Sequence, residues 1–569
     1  MEPWRQISEQ KQKSLLSKIL EPWLLSEAFC AIPTTPDCPN LNVTTDAFMS
    51  EAGLSPRELS ITSNTSIPAI LAGYKSQELS AEEVVTAFCH RAAINHQMTE
   101  SLSEIRFAEA IAEAKAQDEY LRTHKKLVGP LHGIPISLKD QFRVEGLETA
   151  MGYIGWLGPV ETAESESLLT RQIRGLGGII VAKSHVPQTL MIGELQSNLH
   201  HPGLNPHNRL LSPGGSSGGE GSLLASRGSV LGIGTDMGGS IRIPSAFNHL
   251  FGLKPSSGRF SYRGLANSLD GKPVVPSVAG PMSENLENLI HLTQAVVDAE
   301  GWRHDPALVP LPWRPEVLDQ IRATAAAAPR GGLCFAAFPG GDDGITRPHP
   351  PVARGVEMAV RAARQAGHRV IEWQPPNHAE AAVLYAGLVF ATSYDVEDAL
   401  KLSGEPLVGG AQAVFRRGAK LAPKNFQGYF ELVNRFRKYQ EDYADYWEST
   451  KLLTGTGRPV DGIIAPVAAT AAVRHDAFYA FNYTIVYNIL DYSSLTIPVT
   501  KADRNIDIAS PYAYPRSPID EANWNSYDAE IYHGAPVGVQ VVARRLEEEK
   551  VLALGEVLSD AIAFLGAKL

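Results

Sequence analysis

Serine and glycine residues that could support nucleophilic catalysis are concentrated in two neighbouring stretches, 212–220 (SPGGSSGGE) and 232–244 (GIGTDMGGSIRIP). In the second stretch, Gly238 and Gly239 come directly before Ser240, and the residues after it indicate a turn that enters a helix. Glycines allow backbone N–H groups to approach a reacting oxygen closely, and several N–H groups at a helix N-terminus can form an oxyanion hole. This pattern predicts Ser240 as a nucleophile for acyl transfer.

A serine hydroxyl is a weak nucleophile and needs a base, and Lys139 is a candidate at the end of the apolar strand GIPISLK. Burial lowers the pKa of a lysine, so Lys139 is expected to be neutral if this strand lies in the core. Asp140 would favour the charged lysine, but adjacent residues of a strand point to opposite faces. The residues alone do not connect Lys139 with Ser240.

Two other interpretations of these stretches are a flexible linker and a nucleotide site. Gly/Ser runs are often linkers, but here a helical segment (GSLLAS) and an apolar strand (SVLGIG) lie between the two runs. Residues 232–239 follow GxGxxxG rather than GxGxxG, and no acidic residue between Met237 and Leu269 could bind a ribose. The sequence therefore disfavours both interpretations.

The residues around Ser216 also match the GxSxG nucleophile elbow, which requires a buried strand immediately before the serine. The preceding segment, NPHNRLLSP, has the composition of a loop.

Metal catalysis is the remaining alternative, because His200, His201 and His207 lie close together. They lack helical spacing and nearby acidic residues, so we expect loop histidines, with no metal ion and no cofactor.

Charge and cysteine content restrict the partners of the protein. The 569-residue chain has a formal charge of −11, which disfavours binding to nucleic acid or to an anionic membrane. Its four cysteines fit neither a disulfide framework nor a zinc site. The N-terminus lacks the apolar run of a signal peptide, and no apolar run is long enough to span a bilayer. We expect a cytoplasmic protein that acts on a small molecule; homodimer formation is left open.

Short apolar runs alternate with helical patterns along most of the chain, which predicts an α/β sheet covered on both faces. The predicted strands are IPISL, GGIIVAK, SVLGIG, GLCFAAF, HRVIEW, DGIIAPV, LTIPV and PVGVQVV. We predict an N-terminal helical extension over 1–67, with one amphipathic helix over 8–30, and a catalytic domain over 68–569. Residues 377–450 are predicted to form a helical insertion in that domain.

Three blocks, GIPISLKD (133–140), SPGGSSGGEG (212–221) and GTDMGGSIRIPS (234–245), closely resemble the signature blocks of the amidase signature family. Further matches continue to APVGVQVVARRLEEEKVLALGEVL (535–558), so the resemblance covers about 68–562. The N-terminal extension and the C-terminal blocks resemble fungal acetamidases and general amidases, which are related to fatty acid amide hydrolase. The resemblance implies the amidase signature fold, with a central mixed sheet.

The resemblance also implies a Ser–Ser–Lys catalytic triad. In it, Lys139 takes a proton from Ser216, Ser216 takes one from Ser240, and Ser240 attacks the carbonyl carbon. The Gly215–Ser216 peptide bond is implied to be cis.

Other site residues follow from the same resemblance. The oxyanion hole would be formed by the backbone N–H groups of Met237, Gly238, Gly239 and Ser240. Ser217 and Asp236 would orient the triad and its loop. The substrate pocket would include Leu190 and Met191, for which core packing is an equal alternative.

The sequence thus predicts an amidase that hydrolyses linear carboxylic amides through an acyl-enzyme. A carbamate or ester hydrolase is the nearest alternative, because the same acyl-enzyme chemistry accepts those carbonyls. An amidotransferase subunit that delivers ammonia to a charged tRNA is a more distant one, disfavoured by the acidic charge.

Overall fold

The apolar runs predicted as strands pair into one mixed sheet in the computed structural model, which describes residues 2–33, 35–328 and 332–566. All eight predicted strands are present, together with three that the sequence pattern did not indicate. The strands are β1 (Leu102–Ile105), β2 (Pro135–Lys139), β3 (Ile179–Ser184), β4 (Leu231–Asp236), β5 (Phe251–Lys254), β6 (Val278–Ser283), β7 (Cys334–Ala337), β8 (Arg369–Glu372), β9 (Gly462–Pro466), β10 (Ser494–Lys501) and β11 (Pro536–Val542).

The strand order across the sheet is β1-β3-β2-β4-β6-β5-β10-β11-β9-β7-β8. Strand β2 is parallel to both β3 and β4, whereas β4 is antiparallel to β6. Two strands that are far apart in sequence, β2 and β4, therefore end side by side at the same edge of the sheet.

Helices cover both faces of the sheet, as predicted. In β7, Cys334 and Ala336 belong to one hydrophobic core, while Phe335 and Ala337 belong to another. Because side chains of a strand alternate between faces, these are the cores on opposite sides. The helices of four or more residues are α1 (Pro3–Ser17), α2 (Glu27–Cys30), α3 (Asp46–Glu51), α4 (Pro56–Thr62), α5 (Ile67–Ser76), α6 (Ala81–Thr99), α7 (Phe107–His124), α8 (Leu168–Gly175), α9 (Gly218–Ala225), α10 (Arg242–Phe247), α11 (Leu286–Asp298), α12 (Pro315–Ala326), α13 (Pro350–Gln365), α14 (His378–Val389), α15 (Tyr394–Ser403), α16 (Gly409–Leu421), α17 (Phe426–Ser449), α18 (Lys451–Thr454), α19 (Asn482–Ile489), α20 (Pro518–Asn525), α21 (Ala529–Tyr532) and α22 (Glu548–Gly566).

The prediction of one helix over 8–30 is wrong. Helix α1 ends at Ser17, a short 3₁₀ helix follows over Glu21–Trp23, and α2 begins at Glu27. Pro22 explains the interruption, because its ring removes a backbone donor and clashes with the preceding turn of an α-helix. The N-terminal segment instead packs as short pieces, with Leu15 buried in the core below β2 and β3.

The segment 377–450 is helical, as predicted, and consists of α14 to α17. Helix α14 packs against α16, α17 and α19, so this helical segment also contacts a helix that follows it in the chain. In the parts of the chain that the structure describes, no helix is both long and apolar enough to cross a membrane.

Candidate active site

Ser240 lies in a tight turn between β4 and α10. The turn includes Gly239, whose φ of +128° lies in the region that favours glycine. A β-carbon at Gly239 would also lie 2.6 Å from Thr484 Oγ1 and 2.7 Å from Ile243 Cδ1. Both the backbone conformation and the close packing therefore require glycine beside Ser240.

Asp236, the last residue of β4, stabilises the conformation of this turn. Its carboxylate accepts hydrogen bonds from Gly239 N (2.9 Å) and Ile241 N (3.2 Å), and it pairs with Arg242 at 3.0 Å. Burial alone would raise the pKa of Asp236, but the Arg242 guanidinium holds it well below the usual range. Asn488 donates a further hydrogen bond at 2.9 Å, so Asp236 is a fully engaged buried anion.

One hydrogen bond of Asp236 removes a donor from the predicted oxyanion hole. Gly239 N–H already donates to Asp236, so it is not available to a substrate oxygen in this structure. Within the described residues, the N–H groups of Met237, Gly238 and Ser240 have no protein acceptor. Of the four backbone donors that the resemblance implied, three therefore make no hydrogen bond within the described residues.

Lys139 is fully buried at the end of β2 and lies close to Ser216. Its Nζ donates to Ser216 Oγ at 2.8 Å and to Thr235 Oγ1 at 2.7 Å. Burial lowers the pKa of Lys139 to about 7, although the charges of Asp236 and Glu220 favour the ammonium form. A lysine whose pKa is lowered this far can lose its proton near neutral pH, and the uncharged amine can then accept one.

The segment that contains Ser216 is hydrogen-bonded to the turn that contains Ser240. The Gly215–Ser216 peptide bond is cis, as the resemblance implied. The next residue, Ser217, donates its N–H to the Ser240 carbonyl at 3.1 Å, and its hydroxyl is 3.3 Å from both the Thr235 carbonyl and Thr235 N. Ser216 follows loop rather than strand, which agrees with the rejection of a nucleophile elbow.

Asp140 does not share the environment of Lys139. It pairs with buried Lys183 at 3.1 Å and accepts a hydrogen bond from Met151 N at 2.6 Å. The alternation of side chains along β2 therefore separates the two charges, as expected for adjacent strand residues.

Two polar neighbours of Lys139, Thr235 and Glu220, were not predicted from the sequence. Thr235 accepts from Lys139 and donates to Gln141 Oε1. Glu220 accepts from Ser137 Oγ, and burial raises the pKa of Glu220 to about 7. The GTD and GGEG segments contain these residues, but the sequence does not specify their proximity to Lys139. Thr235 is close because β4 pairs with β2, and Glu220 is close because α9 packs against β2.

Ser216 and Ser240 line one cavity of about 490 Å³. Leu190 and Met191, predicted as pocket residues, also line it. Helices α14 and α16 of the insertion form much of the remaining wall. The other apolar lining residues include Met237, Ile345, Val383, Phe390, Val414, Leu421, Phe478, Phe481 and Ile485.

The histidines considered as metal ligands contact other groups of the protein. His207 is buried against the Asn248 carbonyl, and His200 packs edge-on against His185. Across the described residues, there is no cluster of three or more His, Cys, Asp or Glu side chains that could hold a metal ion.

Comparison with known proteins identifies the family. A model of the amidase family matches residues 83–552. An acetamidase of Aspergillus oryzae is 43% identical over 505 residues, which cover 88% of this chain and 90% of that protein. The chain belongs to the amidase signature family. It is an amidase, an enzyme that hydrolyses amides.

Two further relatives extend the similarity over almost the whole chain of this amidase. An acetamidase of Emericella nidulans is 40% identical over 554 residues, 97% of each chain. The solved structure of a fatty acid amide hydrolase superposes with a TM-score of 0.88 at 30% identity, and covers 98% of this chain and 95% of its own.

Proposed function

We propose that this amidase converts a carboxylic amide to the acid and ammonia or an amine through an acyl-enzyme on Ser240. Ser216 relays protons and Lys139 is the base. The observation that carries the proposal is the 2.8 Å hydrogen bond from Lys139 to Ser216, made by a buried lysine with a pKa of about 7, in the cavity that Ser240 lines.

The reaction begins when Ser240 Oγ attacks the carbonyl carbon. The hydroxyl proton of Ser240 passes to Ser216, and the proton of Ser216 passes to Lys139 Nζ. When the tetrahedral intermediate collapses, the carbon–nitrogen bond breaks and the relay returns the proton to the leaving nitrogen. A water molecule then attacks the acyl-enzyme by the same relay, which releases the acid and restores Ser240.

Backbone N–H groups stabilise the negative oxygen of each tetrahedral intermediate. Met237, Gly238 and Ser240 supply these donors, while Gly239 shapes the turn through its bond to Asp236. Donors fixed in advance around the developing charge need no reorganisation during the reaction.

The cavity favours an amide with an apolar acyl group. Its volume of about 490 Å³ is larger than acetamide fills, and its walls are aliphatic and aromatic. Two relatives are nevertheless named acetamidases. Burial of additional methylene groups is favourable by about 0.8 kcal/mol each. We expect kcat/KM to rise with acyl length until the cavity is filled.

A substrate series tests this function. Purified protein is assayed with acetamide, a hexanoyl amide, ethyl carbamate and a p-nitrophenyl ester, with Ser240→Ala as the control for background hydrolysis. We expect acid and ammonia from the amides, with the hexanoyl amide preferred. Turnover of ethyl carbamate or the ester without turnover of either amide would instead support the carbamate or ester hydrolase.

A further inference from the structure

A tyrosine of the helical insertion reaches the catalytic turn. Tyr385 lies on α14, and its side chain lines the same cavity as Ser216 and Ser240. A β-carbon built on Gly238 would lie only 2.6 Å from Tyr385 Oη. The phenol oxygen is therefore packed against the backbone of a residue whose N–H is available to an oxyanion.

The backbone that faces Tyr385 is held in place from both sides. Thr484 on α19 donates from Oγ1 to the Gly238 carbonyl at 2.5 Å, and Asp236 binds the neighbouring Gly239 N–H. Helices α14 and α19 pack against one another. The position of the phenol oxygen relative to the turn is thus fixed by packing between elements rather than by a mobile loop.

The Tyr385 hydroxyl has no hydrogen-bond partner among the described residues, although its side chain is only partly exposed. Burial raises the pKa of Tyr385 well above its ordinary value, and the charge of Asp236 adds to this, opposed by Arg242. The group is therefore a protonated donor throughout the working pH range. Buried polar groups are usually hydrogen-bonded, whereas Tyr385, without a protein partner for its hydroxyl, lines the cavity that Ser240 also lines.

We propose that Tyr385 Oη donates a hydrogen bond to the carbonyl oxygen of the substrate, beside the N–H of Gly238. The bond strengthens as the oxygen becomes negative, so Tyr385 acts as an additional donor of the oxyanion hole. This inference rests on the proposed function, because it assumes that the carbonyl carbon binds at Ser240. It gives the helical insertion a direct part in catalysis.

Tyr385→Phe removes the hydroxyl and keeps the ring. Loss of one oxyanion-hole donor lowers kcat by roughly 10²-fold or more in other hydrolases, so we expect kcat to fall by about that factor while KM changes little. The rate of inactivation by a fluorophosphonate should also fall, since the phosphoryl oxygen occupies the oxyanion position. The melting temperature should stay unchanged, because no protein hydrogen bond is lost.

Tyr439→Phe is the matched control. Tyr439 is a buried tyrosine of α17 whose hydroxyl also lacks a partner in the described structure, but it does not line the cavity. We expect this variant to keep the wild-type kcat, KM and inactivation rate.

The outcomes separate this inference from the proposed function. If Tyr385→Phe keeps the wild-type kcat/KM and inactivation rate, the proposal is wrong. A rise in KM alone would also overturn it, since ground-state binding would then explain the contact. If wild-type protein is not labelled on Ser240, the proposed function itself fails, whatever the Tyr385 variant shows.

Discussion

The Nζ of Lys139 lies 2.8 Å from the Oγ of Ser216, in a part of the core where both side chains are buried. The two residues are separated by 77 positions in the sequence. A buried cation is costly unless it is compensated, and burial lowers the pKa of Lys139 to about 7. The contact therefore joins a partly neutral amine to a hydroxyl that can pass on a proton.

The activity should depend on the protonation of Lys139. A base must be deprotonated to act, and a lysine with a pKa of about 7 is charged below that pH and neutral above it. We expect kcat/KM to rise between pH 6 and pH 8, as roughly one pH unit on either side of the pKa spans the titration, and then to level off.

Lys139→Ala should remove this pH dependence and lower kcat by about three orders of magnitude or more, as in other catalytic triads. Circular dichroism and thermal melting check that the variant is folded. Lys126→Ala, at an exposed position, is the control and should retain the wild-type profile. A Lys139→Ala enzyme with the wild-type rate and inflection would mean that another group is the base.

Glu220 should set the position of the pH inflection. Its charge favours the ammonium form of Lys139, while burial raises the pKa of Glu220 itself to about 7. Glu220 is therefore negatively charged over part of the pH range in which Lys139 loses its proton. Glu220→Gln removes the negative charge and should move the inflection of kcat/KM to lower pH.

Ser229→Ala is the control for the Glu220 variant. Ser229 belongs to the same network, with its Oγ 2.8 Å from Ser137 Oγ, but its loss removes no charge. An inflection that stays in place in Glu220→Gln, or moves equally in Ser229→Ala, would show that the Glu220 charge does not act on Lys139.

Asp236→Asn should destabilise the protein strongly. The substitution leaves the Arg242 guanidinium buried without its anion, and breaking a buried ion pair in this way typically costs about 3–5 kcal/mol. Denaturant unfolding measures the loss.

Asp319→Asn provides a comparison at an exposed ion pair with Arg322, where little change is expected. Equal stability of the Asp236→Asn and Asp319→Asn variants would show that the ion pair of Asp236 with Arg242 does not stabilise the protein.

The strands β2 and β4 could be predicted from the sequence because they are short, continuous apolar runs. Strand β6 could not, since VAGPMS contains a proline and a glycine that are unfavourable within a sheet. Pro22 is itself a local signal that the N-terminal helix is interrupted. The apolar pattern on either side of it nevertheless suggested one continuous helix.

At the site too, some features have a local sequence signal, while others depend on long-range contacts. The Gly-rich turn marks Ser240 locally, but the contact of Lys139 with Ser216 depends on which strands are neighbours. At the site, the position of Thr235 follows from the sheet order, that of Glu220 from the packing of α9 on β2, and that of Tyr385 from the packing of α14 on α19. No local sequence pattern indicates these long-range contacts.

Covalent labelling shows which serine is the nucleophile. A fluorophosphonate probe is incubated with wild-type protein, Ser240→Ala and Ser216→Ala, and the adduct is located by peptide mass spectrometry. We expect one adduct per wild-type chain, on Ser240, and none on the Ser240→Ala protein. An adduct on Ser216 that persists in Ser240→Ala would instead identify Ser216 as the nucleophile.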